Sequence, residues 1–307
     1  MGVYIARRLL QTIVVLFGIT ILVFSALHFM PGDPARIMAG EAAGPEVVEQ
    51  MRENLGLNDP LPQQYFRFII RLLQGDLGES IRTQADVRNE IFDARLGNTI
   101  RLAIVATLLT TIFGLATGIL CATRKYSVLD RALMLLMLFG LSMPVFWLAL
   151  LLMFFLSVQL GWFPVAYDGT AWGLVIPVVT LASTGAAIVS RMTRSSLLDV
   201  FNQDYIRTAY SKGLSRRVVI YKHALKNALI PVVTVVGLQF GTLLGGAVIT
   251  ETIFAINGMG RLLVDSIRAH DFPMVQGVVL VFALFFTMVN LIVDITYRLL
   301  NKRIDLD

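Results

Sequence analysis

The chain has 307 residues, 56% hydrophobic and only 15% charged, with a mean hydropathy of +0.72. A soluble domain averages about 25% charged residues, so a polar rim this thin cannot cover a globule of this length, and lipid must be the solvent for much of the surface. The 26 Lys and Arg sit between apolar runs rather than in a patch with interleaved aromatics, which argues against nucleic acid. A single cysteine, Cys121, excludes an internal disulfide or a cysteine-rich metal site, and His28, His223 and His270 match no metal-ligand spacing.

Arg7-Arg8 before an apolar run imitates a secretion signal. The run Leu9–Met30 holds 22 residues without a formal charge, whereas a signal h-region has about 7–15. It ends in Pro31-Gly32-Asp33-Pro34 instead of a small-residue cleavage site, so it reads as a retained helix. Crossing the hydrocarbon core takes about 20 apolar residues, and a mid-membrane charge costs about 3 kcal/mol. Charge-free runs at Leu102–Thr123, Ala132–Gln159, Gly169–Ser190, Asn227–Thr250 and Met274–Val293 therefore predict five further spans. Pro177, Ser183, Thr184 and Gly185 dilute the Gly169–Ser190 run.

With the N-terminus inside, the cytoplasmic segments hold 16 Lys and Arg, from Arg7 to Arg303, against Arg261 and Arg268 in the short outer loops. Both termini then lie inside, and six spans fit. The expected organisation is an all-α integral membrane protein. Residues 1–30 form the cytoplasmic N-terminus and first span, and 31–97 an external helical extension. Residues 98–297 form a five-helix core with an inner loop at 191–226, and 298–307 a cytoplasmic tail.

Within the extension, Pro45 to Leu55 before Gly56 and Pro62 to Leu73 before Gly75 read as two short helices. The segment carries 11 acidic and 7 basic residues, so it reads as a folded aqueous element that contacts a partner or caps the bundle. In the inner loop, Asp204 to Lys212 has helical composition, and Gly213 supplies the left-handed residue that ends it. Ser215 is placed to cap a further helix through Val219. This short helix is expected to expose Tyr205, Ala209 and Lys212. It reads as an element that transmits force from a soluble partner, or as a solvated loop that only fixes topology.

In the fifth span, Gly237, Gly241 and Gly245 recur every four residues beside Gln239, Thr242 and Gly246. The spacing suits close helix contact; it also suits a widened path with Gln239 as a polar contact. Gly114 and Gly118 repeat the spacing in the second span, and Asn290 and Asp294 in the sixth either line a passage or bond to neighbours. No mid-span charge pair exists to bind a peptide's amine and carboxylate, so selectivity is expected to lie outside this chain. No Gly-Lys pair occurs, which excludes a phosphate-cradling loop and leaves any ATP hydrolysis to another polypeptide. An ion-coupled secondary transporter would place ionisable groups near the midplane, where this chain has none, and no selectivity-filter motif supports a channel.

The inner loop resembles the signature of membrane subunits of binding-protein-dependent ABC importers, which is Glu-Ala-Ala, three residues, Gly, nine residues, then Ile-x-Leu-Pro. Arg207-Thr208-Ala209 occupies the triplet and Gly213 the glycine, while His223, Leu225 and Lys226 stand where Ile, Leu and Pro would be. The run from Tyr205 to Pro231 is similar to the peptide-transporter branch, which departs from the signature in the same way. Met30-Pro31-Gly32-Asp33-Pro34-Ala35, Gly75-Asp76-Leu77-Gly78, Arg191-Met192-Thr193-Arg194-Ser195 and Thr250-Glu251-Thr252-Ile253-Phe254 extend the likeness along the chain.

The resemblance implies a type I, MetI-like fold and the first of two paired permeases for dipeptides, oligopeptides or glutathione, with nickel or metal-chelate uptake as a sister use. It implies a bacterial inner-membrane location, a second, different permease chain, two ATP-binding subunits that carry ATP and Mg, and a soluble substrate-binding protein. This chain itself would hold no cofactor, metal or catalytic residue. Asp204, Tyr205, Arg207, Thr208, Ala209, Lys212, Gly213 and Leu214 would form the coupling helix. Gln239, Gly241, Thr242, Gly245 and Asn290 are the candidates for the path.

Overall fold

A backbone surrounded by lipid must satisfy its own N–H and C=O groups, and a helix does so within one segment. In a computed structural model, which describes residues 2–29, 33–40, 43–54 and 56–300, the regular elements are helices. Met30-Pro31-Gly32, Leu55 and the tail 301–307, each part of an expectation above, lie outside the described residues. In chain order the helices are α1 (Gly2–Phe29), α2 (Pro34–Ala39), α3 (Pro45–Asn54), α4 (Leu61–Leu73), α5 (Val87–Asn89), α6 (Leu96–Thr123) and α7 (Val128–Ser142). They continue with α8 (Val145–Leu152), α9 (Val175–Phe201), α10 (Asp204–Ser211), α11 (Arg216–Val218), α12 (Leu225–Ile253), α13 (Met259–Arg268) and α14 (Phe272–Leu300). Wider π-type turns at Glu90–Arg95, Met153–Gln159 and Val219–Ala224 join α5 to α6, extend α8 and join α11 to α12.

Five helical stretches are long and apolar enough to cross a membrane, and α7 with α8 makes a sixth if that pair is one span. The expected span Ala132–Gln159 is bent by 107° between Ser142 and Val145. Pro144 is the cause. It offers no N–H and forces Met143 into an extended conformation (φ −80°, ψ 131°), which ends α7. Two helices also overrun their charge-free cores. The second span is continuous from Val87, inside the segment expected to be external, and α9 runs past Ser190 to Phe201, inside the expected inner loop. The short helices predicted in the extension are present as α3 and α4, the latter closed by Gly75 at φ +78°.

The chain divides into two compact units, residues 1–98 with 257–287 and residues 99–256 with 288–307. The first buries Val87, Ile91, Met259, Leu262, Met274 and Val278 in one cluster. Asp271, itself buried, organises it: its carboxylate accepts from the Ser80 hydroxyl, from the Ile81 N–H at 3.1 Å and from the Met274 N–H in the first turn of α14. One acid thereby caps a span and pins the loop that precedes α5. In the same unit, Tyr65 of α4 lies 2.8 Å from the Thr20 hydroxyl of α1 and edge-on to Phe24.

The second unit has two apolar clusters. One gathers Leu102, Ala106, Leu174, Ile176, Leu181, Leu243 and Phe254. Glycines let its helices meet: a Cβ on Gly118 would stand 2.5 Å from the Thr193 Cβ and 2.7 Å from the Ser190 carbonyl oxygen. A Cβ on Gly114 would stand 2.6 Å from the Val189 side chain. Close packing is therefore the role of the α6 glycine pair, and the Thr117 hydroxyl donates to Ser190 at 2.8 Å between them. Gly245, by contrast, has nothing within 4 Å of a built Cβ. Overpacking such a contact costs about 1–3 kcal/mol. Gly118→Val is expected to lower the melting temperature in detergent by several degrees while Gly245→Ala leaves it unchanged, as differential scanning fluorimetry would measure.

Candidate functional site

The residues from Asp204 to Leu214 form a closed local unit. Gly213 takes φ +77°, its N–H donates to the Tyr210 carbonyl at 2.9 Å, and the Leu214 N–H donates to the Ala209 carbonyl at 3.4 Å. This paired 5→2 and 6→1 pattern ends α10 and requires a left-handed residue at position 213. Ser215 begins the next turn through its carbonyl, which accepts from Val219, and not through the side-chain cap expected of it.

α10 is seated on the ends of three spans. Ile206 and Ala209 are buried in a cluster with Ala122 of α6, Leu197 of α9, Val219 and Ala224 of the π-type turn, and Ala228 of α12. The expected exposure of Ala209 is thus corrected. Ile206 is the strongest apolar side chain on the helix and sets its inward face, and Ala209, three residues on, shares that face. The outward face carries Asp204, Arg207, Thr208 and Ser211, flanked by Tyr205, Tyr210 and Lys212, all exposed. Arg207 and Asp204 approach to 3.5 Å and stay largely solvated. Three further bonds tie the seat: Asn227 donates to the Tyr205 hydroxyl at 2.8 Å, Ser196 to the Ala228 carbonyl at 2.9 Å, and Arg216 to the Thr123 carbonyl at 2.6 Å.

A second feature lies just above. Arg194 of α9 donates through Nε and Nη2 to both carboxylate oxygens of buried Asp130, each at 2.8 Å. Ser127 caps α7 by accepting from the Asp130 N–H at 3.1 Å, and Asp130 accepts from the Tyr126 N–H at 2.9 Å. Sequence reasoning missed this clamp between α7 and α9. The spacing of Ser127 and Asp130, which is that of a capping box, was its one visible signal.

The candidate path residues are only partly gathered. Thr242 donates to the Gln239 carbonyl at 2.8 Å, and a Cβ on Gly185 of α9 would stand 3.6 Å from the Gln239 side-chain oxygen. Gly241 is buried, Thr242 and Gly245 are exposed, and Asn290 is half-buried on α14. Gly237 serves packing, since its Cβ would stand 2.5 Å from the Val293 side chain. At the far end of α12, buried Glu251 accepts from the Thr99 hydroxyl at 2.6 Å.

Fold and site together define a transmembrane permease of the ABC importer class. The chain has the fold of the methionine ABC transporter MetNI solved in inward-facing conformations (TM-score 0.56, 21% identity, 66% of this chain and 93% of that one). It matches an amino acid ABC transporter solved with histidines in the same way (TM-score 0.53, 15% identity, 66% and 91%). The chain belongs to the family of binding-protein-dependent transport system inner membrane components, whose model matches residues 114–306, with the family's N-terminal region at 1–103. Among its relatives are the glutathione transport system permease GsiC of Pectobacterium atrosepticum (44% identical, 98% of each chain) and that of Escherichia coli K12 (42%, 98% of each). The dipeptide transport system permease DppB of Alkalihalophilus pseudofirmus is 43% identical, again over 98% of each chain. Family membership decides for ATP-driven import over ion coupling and over a channel.

Removing one partner of a buried ion pair leaves an uncompensated charge and costs about 3 kcal/mol. Arg194→Gln, which leaves the buried Asp130 carboxylate alone, should destabilise by about that much in detergent unfolding, and Asp130→Asn by less because the Arg194 side chain is 24% exposed. The double variant should cost less than the sum of the two, with the coupling read from a double-mutant cycle.

Proposed function

We propose that this permease carries glutathione or short peptides into the cell as one of two paired, non-identical permease chains. ATP is hydrolysed with Mg on two separate subunits, and a soluble protein delivers substrate from outside. Both termini face the cytoplasm. The chain itself performs no chemistry and holds no cofactor; it is a gated conduit moved from below.

The observation that carries this reading is α10. It is a short, sharply ended helix whose buried face touches three spans and whose opposite face presents Asp204, Arg207, Thr208 and Ser211 to solvent. A protein that grips this outward face moves α6, α9 and α12 together, because the inward face cannot slide without opening the apolar seat. The excess of 16 Lys and Arg in inner segments supports placing α10 in the cytoplasm. The names of the relatives support the substrate class. The absence of a mid-span Asp, Glu, Lys or Arg from the charge-free runs supports discrimination by the external binding protein.

Two measurements test this. Gly213→Val forces a β-branched residue into a left-handed position in open space. Uptake by the reconstituted importer should be abolished with the permease still assembled in the membrane, and undiminished uptake would refute the coupling role. On a Cys121→Ser background, Asp76→Cys should react with an impermeant maleimide added outside intact cells. Reaction only after the cytoplasmic side is opened would reverse the topology.

A further inference from the structure

Two opposite charges that the backbone brings together in the extension stay unpaired. Helix α4 ends in a left-handed turn at Gly75 (φ +78°), where the Gly75 N–H donates to the Leu72 carbonyl and the Asp76 N–H to the Arg71 carbonyl, each at 3.0 Å. The backbones of Arg71 and Asp76 are thus bonded, yet their side chains form no ion pair. One carboxylate oxygen of Asp76 turns instead to accept from the Gly78 N–H at 2.8 Å. Among the described residues, neither Arg71 nor Glu79 engages a partner through its side chain.

Arg71, Asp76 and Glu79 all line one groove of about 400 Å³ in the first unit, a size within the range of about 300–1,000 Å³ typical of small-molecule sites. Phe68 and Leu72 of α4 and Phe272 and Pro273 of α14 give it an apolar lining. Its sides are fixed: α4 is bonded to α1 through Tyr65 and Thr20, and the loop 76–81 to Asp271 through Ser80 and Ile81. The Val87 N–H holds the same loop at the Gly78 carbonyl, 3.0 Å away. A site held in this way loses little freedom when a ligand enters. Arg67, the other cation of the lining, is already engaged by Asp59. What remains is one unengaged guanidinium, two carboxylates and an apolar surface.

We infer that this groove binds a short zwitterionic peptide. Arg71 takes the peptide carboxylate, for which a guanidinium is the matching fork, Asp76 and Glu79 take the amine, and the apolar lining takes the side chains. A di- or tripeptide with uncharged side chains has one carboxylate and one amine. Glutathione has two carboxylates and suits a single guanidinium less well. The choice of ligand rests on the transport role proposed above and narrows it.

The test uses the complete importer in proteoliposomes, without the soluble binding protein, and the photoreactive dipeptide alanyl-photoleucine. After irradiation, mass spectrometry maps the adduct. It should fall on α4, the loop 76–81 or the first turns of α14, and alanyl-leucine should compete it away, whereas N-acetyl-alanyl-leucine amide and glutathione should not. Arg71→Gln and Glu79→Gln each remove an exposed, unpaired side chain, and each should raise the half-saturating dipeptide concentration by about fivefold. No adduct in the groove, as when the second permease chain fills it, would overturn the inference, as would equal competition by the capped peptide. Uptake of alanyl-leucine after the binding protein is added reports separately on the transport role, so uptake without a groove adduct would sink this inference alone.

Discussion

Ile206 and Ala209 are the two apolar side chains that seat α10 on the membrane domain, and both are almost wholly buried. A helix of eight residues has little stability of its own, because nucleation is costly and few of its backbone bonds are internal. Its rigidity must come from that seat and from the left-handed turn at Gly213 that ends it. Both hold the outward face in a fixed position relative to the spans. A freely jointed loop of the same charge would fix topology and transmit nothing.

The spans beneath α10 are themselves closely packed. α6 and α9 approach so closely at Gly114 and Gly118 that no side chain fits between them, and Thr117 and Ser190 bond across the contact. Asp130 and Arg194 clamp α7 to α9 within three turns of α10. Helices joined this way move as a body, since dense interfaces resist gradual deformation. α12 differs along its length: it is wedged against Val293 at Gly237 and open at Gly245.

The sequence was most legible where structure is decided locally. Helix α10, its end at Gly213 and the helices of the extension follow from Pro, Gly and apolar spacing alone. Tyr205 and Lys212 are exposed as expected, and Ala209 alone was misjudged, because the single strong hydrophobe, Ile206, draws it inward. Pro177, Ser183, Thr184 and Gly185 dilute the Gly169–Ser190 run, yet it belongs to the stretch whose residues are mostly buried. Its Ser, Thr and Gly residues face protein rather than lipid, and such contacts favour small side chains. Pro144 announced a break that a charge-free window cannot register. The Asp130–Arg194 clamp joins residues 64 apart, and only its Ser127–Asp130 cap was visible as a local pattern.

The central claim is that an ATPase subunit holds the exposed face of α10. On a Cys121→Ser background, Arg207→Cys carrying a photoactivatable cross-linker would report the neighbour of that face directly in the assembled importer. The account predicts an adduct with the ATP-binding subunit. A residue 207 that stays water-accessible and yields no adduct, in a complex shown to be intact and active, would contradict it.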